Sequence, residues 1–286
     1  MKVAVIGGGR MGTWFVKYFS SKGIPTILSD VKVEAARLVA STTGAEVARS
    51  NTEAVIDVDV ALISVPIDKT RDAILETAPH MRRGSILVEV SSIKGHTIEA
   101  LREFAFSGIR TLSVHPLFGA SSESLKGRTI AVIPVVNGDI ETDLARQLFE
   151  EAEIVVAEQE EHDRIMAIVL SLTYFMNLAF AKILSEEGLL ALKRLSGTTF
   201  TVQLAITESV MCENSNLVMS LLKENRFAKS YIDRFISEAS AIRELLGKGN
   251  ESFDKLYNNL KASLNRDPDY LRADERRYKA FSALVP

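Results

Sequence analysis

Cysteine is nearly absent. Cys212 stands alone among 286 residues, so no internal disulfide can form and a reducing compartment, the cytoplasm, is expected. That cysteine is read as buried packing with no catalytic role. An excess of one charge is lacking too: 34 Lys and Arg stand against 37 Asp and Glu, for a formal net charge of −3. Such a balance offers no global attraction to nucleic acid or to an acidic membrane. The longest apolar run, around residues 165–184, is interrupted by Ser, Thr, Tyr, Asn and Lys, and no membrane span is expected. No leader is expected either, because Val3–Ile6 runs straight into a glycine loop. No His, Cys and Asp cluster has metal-ligand spacing, which excludes an expected metal site. What remains is the composition of a soluble globular chain long enough for two domains, 47% apolar and 25% charged.

The first half alternates short β-rich runs with amphipathic stretches, the rhythm of a parallel sheet with helical crossovers. Strands are expected over 2–7, 25–30, 60–66, 85–92, 110–115, 128–134 and 153–158, most of them apolar at nearly every position. Helices are expected over 11–22, 33–43, 70–78, 95–106 and 140–151. Beyond about residue 160 the strand signal stops, and amphipathic runs follow at 160–187, 200–212, 215–245, 250–265 and 269–283. The expected fold is α/β, a Rossmann-type doubly wound sheet over 1–158, followed by an all-helical domain over 159–286. The run "IMAIVLSLTYFMNLAFAKIL" is apolar nearly all round, which suits burial by a second copy of the chain.

"VAVIGGGRMG" sets Gly7, Gly9 and Gly12 in G-x-G-x-x-G spacing, with Arg10 and Met11 inside the motif, after a strand and opening a helix. Glycines there allow a tight turn and close approach of a pyrophosphate to the helix N-terminus. Asp30, eighteen residues after Gly12, ends the second strand, where a carboxylate accepts from an adenosine ribose and repels a 2′-phosphate. A dinucleotide is therefore expected, NAD in preference to NADP. Ser64, Val65 and Pro66 end the next long strand; they either line the cofactor's path or simply stop the strand.

Two further strand ends, "VEVSSIKG" and "SVHPLFG", bring Ser92, Lys94 and His115 to the same edge. A nicotinamide enzyme oxidising an alcohol needs a proton acceptor, and neutral imidazole serves at an ionisation of about 6–7. Serine can orient that imidazole or the hydroxyl, and lysine can offset a substrate carboxylate. His80 and His96 read as surface residues. Glu161, His162 and Asp163 read as capping and junction residues of the helical half.

Through "GGGRMG", "SVPI", "SSIKG", "HPLFG" and "EEHDRIMA" the chain resembles the prephenate dehydrogenase family over nearly its whole length. The resemblance implies NAD-dependent oxidative decarboxylation of prephenate to 4-hydroxyphenylpyruvate in tyrosine biosynthesis, by a cytoplasmic homodimer. It implies that His115 bonds the C4 hydroxyl, with Ser92 and Lys94 assisting. The chain departs from the family in "TFTVQLAITESV" (199–210), which holds no Arg or Lys where many members carry a carboxylate-binding arginine. Tyr174 stands where several members have a histidine. A cation must then come from Lys94, Arg226, Lys229 or the tail 272–279. Arogenate is the nearest alternative substrate. Another NAD(P)-dependent reductase with a helical second domain, or a silent NAD sensor, stands further off.

Overall fold

Runs such as VAVI and VALI are apolar at every position, and strands of that kind need cover on both faces. The computed structural model, which describes residues 1–247 and 249–284, provides it. Its first part runs β1 (Val3–Ile6), α1 (Arg10–Ser21), β2 (Thr26–Ser29), α2 (Val33–Thr43), β3 (Glu46–Val47), α3 (Asn51–Val55), β4 (Val60–Ile63) and α4 (Ile67–Thr77). It continues with β5 (Ile86–Glu89), α5 (Gly95–Phe104), β6 (Arg110–Pro116), β7 (Thr129–Val132), α6 (Gly138–Leu148), β8 (Glu153–Val156) and α7 (Gln159–Met166). The strands form one sheet in the order β3-β2-β1-β4-β5-β6-β7-β8, parallel except where β6 meets β7. The two-residue β3 was not expected; it is too short to carry a period.

Alternation along the strands sorts the core into two layers. Val3, Val5, Val60, Leu62, Val88, Leu112 and Val114 pack with residues of α1, α2 and α6. Ala4, Ile6, Ala61, Ile63 and Leu87 pack with residues of α3, α4 and α5 on the other face. The sheet is thus doubly wound, as expected. Strand order reverses at β1, with β2 on one side and β4 on the other. Such a switch point opens a crevice at the carboxyl ends of the strands.

The first compact unit extends past the expected division at residue 158 to Met166 and includes Lys223–Arg226. Hydrogen bonds of α7 account for this: Asp163 Oδ1 accepts the backbone N–H of Lys94, and Asn225 donates to the Asp163 carbonyl at 2.7 Å. The run expected as one helix over 215–245 is broken there.

The second unit follows from Ala167 and holds α8 (Thr173–Leu184), α9 (Leu189–Arg194), α10 (Thr198–Met211), all but the last residue of α11 (Ser215–Lys223), α12 (Ala228–Leu245), α13 (Asn250–Leu264) and α14 (Ala273–Leu284). Lys248, Val285 and Pro286, inside the expected second domain, lie outside the described residues. Polar side chains form part of this unit's interior. Asn177 Oδ1 accepts from Gln203 at 2.9 Å and Thr207 at 2.7 Å, and Ser171 donates to the Leu221 carbonyl. Large apolar side chains of the same helical run, Ile168, Val169, Met176 and Ile183, are exposed.

Two expectations are corrected. The helix Gln159–Leu184 is, by length and composition, apolar enough to cross a membrane, and only 17% of its most apolar window is buried within the chain. Ser171 and Asn177 do not break that apolar character, because they turn inward and find partners there. Cys212 is exposed rather than buried, since it caps the carboxyl end of α10.

Candidate active site

The glycine loop is built by crowding on two sides and open space on the third. Gly7 has φ +98°, and a side chain there would also press on the Ser64 carbonyl, 2.4 Å from a Cβ. A Cβ on Gly12 would fall 1.8 Å from the Gly7 carbonyl oxygen, so the helix and turn pack with no room for one. Gly9, the N-cap of α1, has nothing within 4 Å of its Cβ position. The loop thus leaves a cradle at a helix N-terminus whose first N–H groups lack helical partners, the setting for an anionic phosphate. Asp30 Oδ2 accepts the Gly8 N–H at 2.6 Å, and Oδ1 accepts the Lys32 N–H at 2.7 Å. The carboxylate is held in place while each oxygen keeps a further lone pair.

Next along the sheet, β6 outruns β5. Parallel pairing ends at Glu89 with Ser113, while Val114 to Pro116 continue against β7 alone. Glu89, Ser113 and His115 share the face covered by α5, by alternation. Beyond the end of β5, Lys94 fills the space under the overhang. Its Nζ donates to Glu89 Oε1 at 2.7 Å and to the Val114 carbonyl at 2.7 Å, with both charged side chains fully buried. Ser113 donates to the same Glu89 oxygen, and the Ser91 N–H to the other. A buried pair so fully bonded costs several kcal/mol to break on one side alone.

His115 is 5% exposed and its Nδ1 lies 2.9 Å from Nε2 of His162, itself 3% exposed. His162 Nδ1 lies 2.9 Å from Asp163 Oδ1. Burial, the Lys94 charge and the neighbouring His162 hold the His115 pKa well below its ordinary 6.5. The ring is therefore neutral through a wider acid range than the sequence-based expectation of about 6–7. Burial likewise lowers the Lys94 pKa, against the pull of Glu89 and Asp163.

After His115 the chain enters a loop tied to α1. Trp14 donates its indole N–H to the Ser122 carbonyl at 2.6 Å and meets Phe118 edge-on at 5.0 Å.

The site residues named from sequence are thus distributed along one sheet edge. Gly7, Gly9, Arg10, Met11, Gly12 and Asp30 lie at the ends of β1 and β2, and Ser64, Val65 and Pro66 follow β4. Ser92 is half-buried in the turn after β5. Lys94 departs from expectation: its ammonium is enclosed by Glu89 and Val114 and is not presented to a substrate carboxylate. Arg226 pairs with Glu160, and Lys229 with Asp233. In the tail, Arg277 donates to Thr199 on α10 and pairs with Asp274. His80 and His96 are exposed.

Of the expected roles of His162 and Asp163, capping and junction, the capping one does not hold. Helix α7 already begins at Gln159, so both lie inside it, and both are buried. The signal was the adjacent His-Asp pair itself, which offers an acceptor beside an imidazole.

A glycine cradle at the switch point of a doubly wound sheet, followed by a helical unit, defines a nucleotide-binding α/β protein. Sequence models of the prephenate dehydrogenase nucleotide-binding domain and dimerization domain match residues 18–158 and 158–262. The chain belongs to the prephenate dehydrogenase family. The glycine loop precedes the matched residues, so its assignment rests on its own geometry. A protein of Methanocaldococcus jannaschii described as a probable arogenate/prephenate dehydrogenase is 28% identical over 265 residues, 90% of this chain and 59% of that protein. The chain spans 56% to 63% of the length of the curated relatives it matches. Among solved structures, prephenate dehydrogenase from A. aeolicus, in complex with hydroxyphenyl propionate and NAD+, shares the fold at TM-score 0.75 and 18% identity, covering 93% of this chain and 97% of that one. Synechocystis arogenate dehydrogenase shares it at TM-score 0.70 and 17% identity, covering 94% and 99%.

The depressed His115 pKa has a measurable sign. Unfolded chains take a proton on this histidine near 6.5, and the folded protein only at lower pH. Stability should then be unaffected by this group above about pH 6.5 and fall as pH drops below it, by up to about 1.4 kcal/mol per unit. Urea unfolding across that range should show a shallower acid loss in His115→Asn than in the unaltered protein. Equal slopes would mean that the ring is protonated in both states.

Proposed function

We propose that this protein is an NAD+-dependent prephenate dehydrogenase, converting prephenate to 4-hydroxyphenylpyruvate and CO2. The observation that carries the reading is the buried, neutral imidazole of His115 on the same sheet as the glycine cradle. Bound NAD+ would supply the hydride acceptor for the C4 hydrogen. Gly7, Gly9, Gly12 and Asp30 hold it, with Arg10, Met11, Ser64, Val65 and Pro66 alongside. His115 takes the C4 hydroxyl proton, and Ser92 orients that hydroxyl. Aromatisation drives loss of the ring carboxylate, so the protein's task is to position and deprotonate. Lys94 acts at one remove, its charge helping to keep His115 unprotonated.

Arogenate is the second reading, supported by the names of the M. jannaschii relative and the Synechocystis neighbour. The two substrates share the ring that His115 addresses and differ at the side chain. Comparing kcat/KM for both, followed by NADH absorbance, decides between them; inactivity on both would overturn the dehydrogenase reading.

On this reading the first unit, expected over 1–158 and extending to Met166, binds the nucleotide, and the helical second unit binds substrate and pairs two chains in the cytoplasm. The exposed thiol of Cys212 suits a reducing compartment.

Two measurements follow. Asp30→Asn keeps an acceptor for the Gly8 N–H but removes the charge that repels a 2′-phosphate. The unaltered protein should prefer NAD+ over NADP+ by at least about tenfold in kcat/KM, and the variant should lose most of that preference. Equal use of both by the unaltered protein would remove Asp30 from the role. For assembly, sedimentation should give twice the chain mass at micromolar concentration. Val169 is 53% exposed in one chain, so Val169→Glu is harmless to a monomer but should split or aggregate a dimer. A variant with unchanged mass and melting would refute pairing through this face.

A further inference from the structure

Two buried histidines in contact raise the question of which nitrogens carry protons. We propose that His162, oriented by Asp163, is a positioning residue that holds His115 in its Nδ1–H tautomer and leaves Nε2 bare to accept the substrate proton. The functional half of this statement rests on the reading of His115 given above; the tautomer does not.

The assignment follows donor by donor. Asp163 Oδ1 takes the backbone N–H of Lys94 at 3.0 Å, a group that can only donate. The same oxygen lies 2.9 Å from His162 Nδ1, so it presents a lone pair and that ring nitrogen carries the proton. With one proton on each ring, the His162 proton sits on Nδ1 and its Nε2 is an acceptor. His115 Nδ1, 2.9 Å away, must then be the donor. One proton per neutral ring leaves His115 Nε2 unprotonated. An imidazole without such a partner exchanges between its two forms, and only one of them can act as the base.

The relay is also fixed in space. Asn225 holds the Asp163 carbonyl at 2.7 Å, and the Lys94 N–H holds its carboxylate at the start of α5. The two imidazoles stand edge-on, 5.2 Å between centroids. Lys94 before α5 and His162 on α7 act on His115 directly, and each is bonded in turn to a carboxylate, Glu89 at the end of β5 and Asp163 on α7. All belong to the first compact unit.

Nitrogen-15 labelling of the four histidines tests this without substrate, above the ordinary histidine pKa. The unaltered protein should show His115 protonated at Nδ1 and bare at Nε2, with His162 neutral. His162→Phe keeps a ring but offers no acceptor. It should give a mixture of His115 tautomers and a kcat lower by about ten- to a hundredfold, with KM for NAD+ within about twofold. His162→Gln, which can present an amide oxygen, should restore the Nδ1–H form and most of the turnover. His115 protonated at Nε2 in the unaltered protein, or His162 carrying two protons, would overturn the proposal, and neither observation needs a variant to fold. So would a His162→Phe protein with an unchanged tautomer and normal kcat. An unaltered protein inert on prephenate and arogenate, yet with His115 in the Nδ1–H form, would support the tautomer and overturn only the dehydrogenase reading.

Discussion

Glu89 ends β5 with a carboxylate that has no access to water, and three donors close on it: the Lys94 ammonium, the Ser113 hydroxyl and the Ser91 N–H. Because β5 stops there and β6 does not, the overhanging residues of β6 lack a parallel neighbour on one side. Lys94 supplies the missing partner by donating to the Val114 carbonyl. His115 is the next residue, and its direction is a consequence of that repair. The period of two along a strand makes the arrangement strict, since a slip of one residue in β6 would move His115 to the α1 face.

The same cluster sets the electrostatics. A lysine and a glutamate buried together are weak evidence for stability, because desolvation offsets most of their attraction. Their placement has a different effect. The ammonium beside His115 opposes a second positive charge, and burial opposes any charge on the ring. The imidazole stays neutral with His115 only 5% exposed. What looks from sequence like a substrate-facing lysine is better described as part of the floor on which the histidine stands.

Much of this was legible in the residues. The doubly wound sheet showed in unbroken apolar strands, and the cofactor cradle in Gly7, Gly9 and Gly12, because those features depend on local sequence alone. Two-residue β3 and short α9 fell below any period. The interruption of 215–245 was hidden because Asn225 bonds to Asp163, 62 residues away. His162 was misplaced for the same reason: its partner His115 is 47 residues distant, and only the packing of α7 brings them together. Lys94 was assigned a charge to present, whereas tertiary structure enclosed it. The exposed Ile168, Val169, Met176 and Ile183 follow the same rule in reverse, since Ser171 and Asn177 found partners inside.

Trp14 joins the nucleotide-facing helix to the segment that follows His115, through the Ser122 carbonyl and the Phe118 ring. It is the chain's single tryptophan. Indole emission depends on the polarity and rigidity around the ring, so this side chain is an intrinsic optical sensor on the seam between the glycine loop and the loop after β6. A ligand that orders either one changes the light from the same residue, and no label has to be attached to see it.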